Sequence, residues 1–100
     1  MHQKINQNEI KELTLSETLK IIKKEKLPLK KGKNFALTGK KTEFDSVALI
    51  TLISSIEKTL YTKYKKNIVI ADNKILNDLN IIKDTNSLSI HIFKKLNANK

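Results

Sequence analysis

The most regular hydrophobic pattern in the chain lies between residues 45 and 60. At about 100° per residue, the large aliphatic side chains gather on one side of a helix. These residues are Leu49, Ile50, Leu52, Ile53, Ile56 and Leu60. The opposite side carries mostly small residues, which are Ala48, Thr51, Ser54, Ser55 and Lys58. The pattern predicts a helix that begins at Asp45 or Ser46 and buries its aliphatic side.

Leucine and isoleucine at helical spacing predict an earlier helix from about Leu15 to Lys26. Thr14 followed by Glu17 has the spacing of a capping box, and Pro28 would end the helix. The preceding residues 1–12 are polar and weakly patterned, which predicts an N-terminal extension.

The C-terminal third of the chain predicts a short helix and a longer one. In the short one, Leu76 and Leu79 would point inward. The longer helix would run from about Ser87 to Leu96. Its apolar stripe would consist of Leu88, Ile92, Phe93 and Leu96. Ile68 and Ile70 alternate as in a strand, but a lone strand cannot form a sheet, so we expect an extended link there.

A long connection, residues 28–44, joins the first two predicted helices and contains Gly32 and Gly39. Its apolar residues are Leu29, Phe35 and Leu37, which suggests that the connection packs across the domain. Three helices and a short fourth predict an all-α fold, a small helical bundle with a long loop between helices 1 and 2.

Length and composition are typical of one small domain, which we expect to span residues 13–100. There is no cysteine, and His2 and His91 are far apart in sequence, so we expect neither a disulfide nor a zinc site. No apolar run approaches the roughly 20 residues that span a bilayer, and the N-terminus lacks a signal-peptide core. We therefore expect a cytoplasmic protein.

The formal net charge is +10, and every basic residue is lysine. This charge has two interpretations, a solvated consequence of composition or a functional basic surface. The second would make the chain a small binding module for nucleic acid or an acidic protein. Its best local patch combines two tyrosines with neighbouring lysines, namely Tyr61, Tyr64, Lys63, Lys65 and Lys66. The absence of arginine and of a nucleic-acid motif favours the first interpretation.

The pair Asp45 and Ser46 also has two interpretations. Aspartate and serine are common helix caps, and aspartate suits the positive end of the helix dipole. A serine at an exposed helix start is also well placed to carry a phosphate, because the helix start stabilises anions. No acid–base pair, nucleophile triad or phosphate-binding glycine loop is visible, so we expect no enzymatic activity.

The stretch EFDSVALITLISSIEKTL, residues 43–60, resembles the signature of the acyl carrier protein family. That signature has Asp-Ser-Leu, apolar residues at helical spacing, and an apolar-Glu pair. The corresponding residues are Asp45, Ser46, Val47, Ile56 and Glu57. Leu-Thr-Gly at 37–39 resembles the family's preceding loop, and residues 67–96 resemble its last two helices.

The resemblance implies a four-helix bundle of the acyl-carrier type, in which Ser46 carries a covalent 4′-phosphopantetheine arm. A phosphopantetheinyl transferase would attach the arm with Mg²⁺ and would read Asp45. Val47 and Thr51 would flank the arm. The chain would be a non-catalytic carrier of acyl or aminoacyl thioesters, as in fatty acid or polyketide biosynthesis.

The family also implies a loading ligase and a downstream synthase or transferase as partners. We expect a monomer, and the missing arginine and nucleic-acid motifs lead us to expect no binding of nucleic acid. Carriers of fatty-acid synthesis usually have carboxylates along helix 2, whereas this chain has Ala48, Thr51, Ser54 and Lys58 there. This difference favours a carrier for a specialised biosynthetic pathway.

Overall fold

The protein is described by a computed structural model that covers residues 5–27, 35–38, 44–70 and 72–98, without the side chains of residues 46, 74, 76, 79, 80 and 98. Within this part the fold is all-α, as predicted, and no strand is present. The elements are α1 (Gln7–Lys24), α2 (Ser46–Tyr64), α3 (Asn73–Asn77), a 3₁₀ helix (Leu79–Ile82) and α4 (Thr85–Ala98).

Helix α1 begins eight residues before its predicted start. Asn6 caps it, because its side-chain oxygen accepts the Glu9 N–H at 2.8 Å. The predicted capping box is wrong: Thr14 is fully buried inside the helix, and its hydroxyl donates to the Ile10 carbonyl at 2.8 Å. Thr18 bonds to the Thr14 carbonyl in the same way, at 2.7 Å. Buried threonines thus complete a face that a pattern of aliphatic residues alone does not reveal.

The end of α1 is set by backbone geometry. The helix ends at Lys24, two residues before its predicted end at Lys26, and Lys26 adopts a left-handed conformation with φ 55°. Its N–H donates to the Lys23 carbonyl, and the Leu27 N–H donates to the Ile22 carbonyl at 2.9 Å. This is a Schellman arrangement, in which Leu27 also packs against the core. The predicted stop at Pro28 lies outside the described residues.

Helix α2 begins at Ser46, as predicted, but its buried face is rotated from the predicted one. Ile50 is 62% exposed, although we expected it in the core, and Ala48 is buried, although we expected it outside. The five other expected core positions are all confirmed, namely Leu49, Leu52, Ile53, Ile56 and Leu60. A helical step of about 100° carries Ile50 past the edge of the face that Leu49 and Leu52 share.

Helix α1 contacts both α2 and α4, and α4 also contacts the 3₁₀ helix. Asp84 begins α4 by accepting the Ser87 N–H at 2.7 Å, so the helix starts two residues before the predicted Ser87. The expected stripe of α4 is largely confirmed: Leu88, Ile92 and Leu96 are buried, and Phe93 is half-buried. Leu76 and Leu79 were predicted to point inward, but their side chains lie outside the described part of the structure.

Part of the connection before α2 packs on the core, as predicted. Phe35 and Leu37 are buried. The Phe35 N–H donates to the Thr85 hydroxyl, and the Thr85 N–H donates to the Phe35 carbonyl, both at 3.0 Å. The Leu37 N–H donates to the Lys83 carbonyl at 2.8 Å. Residues 28–34 and 39–43, including Leu29, Gly32 and Gly39, lie outside the described part.

The segment after α2 is an extended link that side chains hold in place. Ile68 and Ile70 are buried, and the Ile70 N–H donates to the Glu57 carboxylate at 2.6 Å. Asp72 then caps α3 by accepting the Ile75 N–H at 3.1 Å and forms an ion pair with Lys95 of α4. The link is therefore tied to α2 at one point and to α4 at another.

Two isoleucines of α2 test the observed rotation of its buried face. We expect Ile56→Ala to lower the free energy of unfolding by about 2–5 kcal/mol, because Ile56 is fully buried. Ile50→Ala, the matched control, should change it by less than about 0.5 kcal/mol. Urea unfolding followed by circular dichroism measures both. A larger loss in the Ile50 variant would contradict the observed burial.

The ion pair of Asp72 predicts a dependence of stability on pH. The hydrogen bond from Lys95 and the capping bond from Ile75 lower the pKa of the Asp72 carboxyl group. Because the pKa of Asp72 is lower in the folded protein, its carboxylate stabilises the fold fully at pH values above about 4, the ordinary pKa of aspartate. This stabilisation is lost as the pH falls through the lower pKa of the folded state.

We therefore expect Asp72→Asn to destabilise the fold at pH 7, with a difference from wild type that is smaller at pH 2. Urea unfolding at both pH values measures this difference. Glu12→Gln is the control, because Glu12 is exposed on α1. An Asp72→Asn effect that is equal at both pH values would assign the loss to packing rather than to charge.

Candidate functional site

The start of α2 is the first part of the candidate site. Asp45 precedes the helix with extended backbone dihedrals, and its carboxylate accepts the Ala48 N–H at 2.7 Å. The Asp45 carbonyl accepts the Leu49 N–H at 3.0 Å. Of the two roles considered for Asp45, the capping role is therefore confirmed. Ser46 is the first residue of the helix, directly beside this cap.

Buried residues on both sides fix the position of this helix start. Phe44 is buried immediately before Asp45, and Ala48 and Leu49 are buried in the first turn. Asp45 itself is exposed. Asp45 and Ser46 thus lie at the edge of the core, and the buried residues on either side of them fix the position of their backbone.

Two aliphatic side chains stand in solvent next to Ser46. Val47 is 69% exposed, and Ile50, one turn along the helix, is 62% exposed. The Thr51 hydroxyl donates to the Val47 carbonyl at 2.8 Å, which occupies it within the helix. Val47 and Thr51 were expected beside the site, whereas Ile50 was missed. Its spacing of three residues from Val47 was the signal that could have placed it there.

The dipole and free amides at the start of α2 favour an anion, and the capping carboxylate of Asp45 already supplies one. The first turn of α2 contains no acidic side chain. The first amides of any helix lack acceptors within it, and the helix dipole adds a partial positive charge. Asp45 satisfies the amide of Ala48. The amides before Ala48 remain outside the ladder of intrahelical bonds, which is the arrangement that binds phosphate groups in many proteins.

Glu57 has a structural role that the sequence did not reveal. Ile56 is fully buried, and the Glu57 carboxylate accepts the Ile70 N–H. The apolar-Glu pair therefore ties the far half of α2 to the link that follows the helix. It does not lie beside Ser46, because the two positions are about 16 Å apart along the helix axis at 1.5 Å per residue.

The alternative patch around the tyrosines divides into two environments. Tyr64 is buried, and its hydroxyl donates to the Glu9 carboxylate of α1 at 3.0 Å. Burial raises the pKa of Tyr64, and the hydrogen bond and charge of Glu9 raise it further. Tyr61 is 57% exposed, so the two rings do not form one surface. Lys63 lies over the Tyr64 ring, 5.5 Å from its centre.

In the described part of the chain, no three potential metal-ligating side chains lie together. Within that same part, none of the helices has both the length and the apolar character to cross a membrane.

No protein-family model matches the chain, and no curated protein or solved structure is significantly similar to it. The interpretation of the site therefore depends on its own residues and geometry.

The cap at Asp45 gives a stability prediction. Asp45→Ala removes the acceptor for the Ala48 N–H and should lower the free energy of unfolding by about 0.5–2 kcal/mol. Asp45→Asn, the matched control, keeps an acceptor oxygen at the same place and should lose only a small part of this. Thermal unfolding of the three proteins measures the difference. Equal losses would assign the effect to the charge beside the helix dipole.

Proposed function

We propose that the chain is a phosphopantetheine carrier, in which Ser46 holds the arm and the arm carries acyl or aminoacyl thioesters. The observation that carries this proposal is the position of Ser46. It is the first residue of α2, directly after the capping Asp45 and beside the exposed side chain of Val47. A phosphate attached there would lie at the positive end of the helix.

The order of the elements also supports the proposal. A long α1 is followed by a connection, by α2 with Ser46 at its start, by the short α3 and by α4. This is the order that the resemblance to acyl carrier proteins implies for a four-helix bundle. We propose that the all-α fold is a bundle of that type.

The attachment would be a transfer of the phosphopantetheine group from coenzyme A. The Ser46 oxygen would attack the phosphorus that bears the pantetheine, and a new oxygen–phosphorus bond would form. The bond from this phosphorus to the adenosine bisphosphate oxygen would break, and the bisphosphate would leave with the electron pair. The serine proton would pass to a base of the transferase, while Mg²⁺ would neutralise charge on the phosphates.

Asp45 and Val47 would have supporting roles. The Asp45 carboxylate caps the helix and is exposed, so that the transferase could read its charge, directly or through Mg²⁺. Val47 would supply apolar contact area beside the arm. The chain itself would catalyse no step, because the thiol of the arm forms the thioester and the partner enzymes load and use it.

The outer side of α2 supports a specialised pathway over general fatty-acid synthesis. Ile50, Ser54 and Lys58 are exposed there, where carriers of fatty-acid synthesis usually have carboxylates. The partners would be a phosphopantetheinyl transferase, a loading ligase and a downstream synthase or transferase. We propose a monomeric carrier in the cytoplasm.

Intact-protein mass spectrometry tests the proposal. The chain is incubated with coenzyme A, Mg²⁺ and a broad-specificity phosphopantetheinyl transferase. We expect one added phosphopantetheine on the wild type and none on Ser46→Ala. Ser54→Ala is the matched control, because Ser54 is an exposed serine on the same helix, and it should be loaded like the wild type.

Asp45→Asn separates recognition from capping in the same assay. Because it keeps the capping oxygen, we expect it to stay folded and to be loaded more slowly. Loading of Ser46→Ala, or no added mass with any of several transferases, would contradict the proposal. In the latter case the basic binding module becomes the leading interpretation.

A further inference from the structure

The side of α1 that faces away from the core carries an open groove, which we call the α1 groove. Its volume is about 410 Å³, enough to admit side chains of another molecule. Its lining residues form two rows with a spacing of four, which are Glu12, Ser16 and Lys20 in one row and Leu15, Leu19 and Lys23 in the other. Rows of this spacing are the ridges by which helices pack against each other. At about 100° per residue the groove lies opposite the buried Ile10, Thr14 and Ile21.

The middle of the α1 groove is aliphatic. Leu19 is 40% exposed and is one of the five large hydrophobic residues that are notably exposed in the described part of the chain. Leu15 is half-buried, and the exposed Ser16 is the smallest residue of the lining. A single exposed leucine is ordinary at a protein surface. Here, however, the same helix presents a projecting leucine and, one turn away, a small residue over which another leucine has room to lie.

Opposite charges mark the two ends of the α1 groove. Glu12 lies at one end and Lys23 at the other, about 16 Å apart along the axis at 1.5 Å per residue. Both are exposed, and neither has an ion-pair partner among the described residues. Lys20 differs, because its ammonium group binds the Glu17 carboxylate at 3.0 Å. The groove therefore offers a partner one free carboxylate and one free ammonium group.

The α1 groove is complementary to itself. When a second copy of α1 lies antiparallel across the first, Glu12 of each copy faces Lys23 of the other copy, and Leu19 faces Ser16. Leu15 then faces the methylene stem of Lys20, whose charged end remains with its own helix. Acid thus meets base and a large residue meets a small one at both ends of the contact. A two-fold symmetric interface requires this kind of self-complementarity.

We propose that the α1 groove joins two copies of this chain in an antiparallel pair. Leu19 of each copy would lie over Ser16 of the other, and Glu12 and Lys23 would form an ion pair at each end. The two helix axes would lie about 8–10 Å apart. Because each copy contributes a single helix, the contact is smaller than a standard protein interface. The pair would therefore form at high concentration, and the dilute chain would be the monomer proposed above.

The charges of the α1 groove favour a second copy over other occupants. Anionic lipid or nucleic acid would attract Lys23 but repel Glu12 at the opposite end. An acidic protein surface would meet the same repulsion at Glu12. A membrane-bound helix also has a broad apolar face, whereas this groove has two leucines. A second copy satisfies both charges at once.

Sedimentation velocity tests the proposal on the full chain. We expect a monomer at about 20 μM and a growing fraction of dimer up to about 1 mM, as for a small interface. The buffer contains about 150 mM NaCl, because salt screens the repulsion between two chains of net charge +10. Ser46→Ala should pair like the wild type, since no residue of the groove belongs to the start of α2.

A pair of matched apolar substitutions locates the contact. Leu19→Ser should weaken pairing by about tenfold or more, because each dimer loses two buried leucine side chains. Ile50→Ser is the matched control, since Ile50 is a 62% exposed aliphatic residue of α2. It should leave the dissociation constant of the dimer within about twofold of the wild type.

Charge reversal distinguishes specific pairing from general repulsion. Lys23→Glu and Lys58→Glu lower the net charge equally, and weaker repulsion alone would tighten pairing in both variants. We expect Lys58→Glu, on the exposed side of α2, to follow this rule. Lys23→Glu should instead weaken pairing, because it places two carboxylates opposite each other at both ends. Adding Glu12→Lys to it restores opposite charges at a net charge of +10 and should restore pairing.

Three results would overturn the proposal. The first is a wild type that stays monomeric at about 1 mM, where a small interface should be occupied. The second is an equal effect of Leu19→Ser and Ile50→Ser. The third is a double variant, Glu12→Lys with Lys23→Glu, that pairs no better than Lys23→Glu alone. Failure of Ser46 loading would change none of these measurements, so the two proposals fail separately.

Discussion

The contact of α1 with both α2 and α4 is the constraint on which the rest of the structure depends. The chain has no tryptophan and no cysteine, so a core of aliphatic residues must hold its helices together. Along α1 this core includes Ile10 and Ile21, and Thr14 and Thr18 are buried between them in the sequence. The hydroxyls of the two threonines donate hydrogen bonds to carbonyls of their own helix. This satisfies the buried polar groups and lets small side chains occupy the helix interface.

A second set of contacts fixes the segment before α2, and the start of α2 itself, on the rest of the molecule. Phe35 and Thr85 exchange hydrogen bonds between the connection and α4, and Leu37 is buried beside them. Phe44 then enters the core just before the Asp45 cap. Packing of the preceding segment on the rest of the molecule thus determines where Ser46 lies. The Asp45 cap adds a local hydrogen bond at the start of the helix.

The sequence was most informative where large aliphatic residues define a helix and least informative where polar residues are buried. The start of α2 and the stripe of α4 could be predicted because Leu52, Ile56 and Ile92 follow helical spacing. The start of α1 could not, since Thr14 and Thr18 appear polar in sequence and become buried only through tertiary contacts. The bond between Glu57 and Ile70 likewise depends on a fold that no local pattern encodes.

The contrast between the two sides of α2 links the fold to its candidate function. Leu52, Ile56 and Leu60 pack one side of the helix into the core. Core packing therefore does not restrict which residues stand on the exposed side. Polar residues would serve solubility there as well or better, yet Val47 and Ile50 stand in water beside Ser46. Stability does not explain these two residues, because little of their surface is buried. What they share is their place, because the helix that begins at Ser46 holds both side chains in water within its first turns.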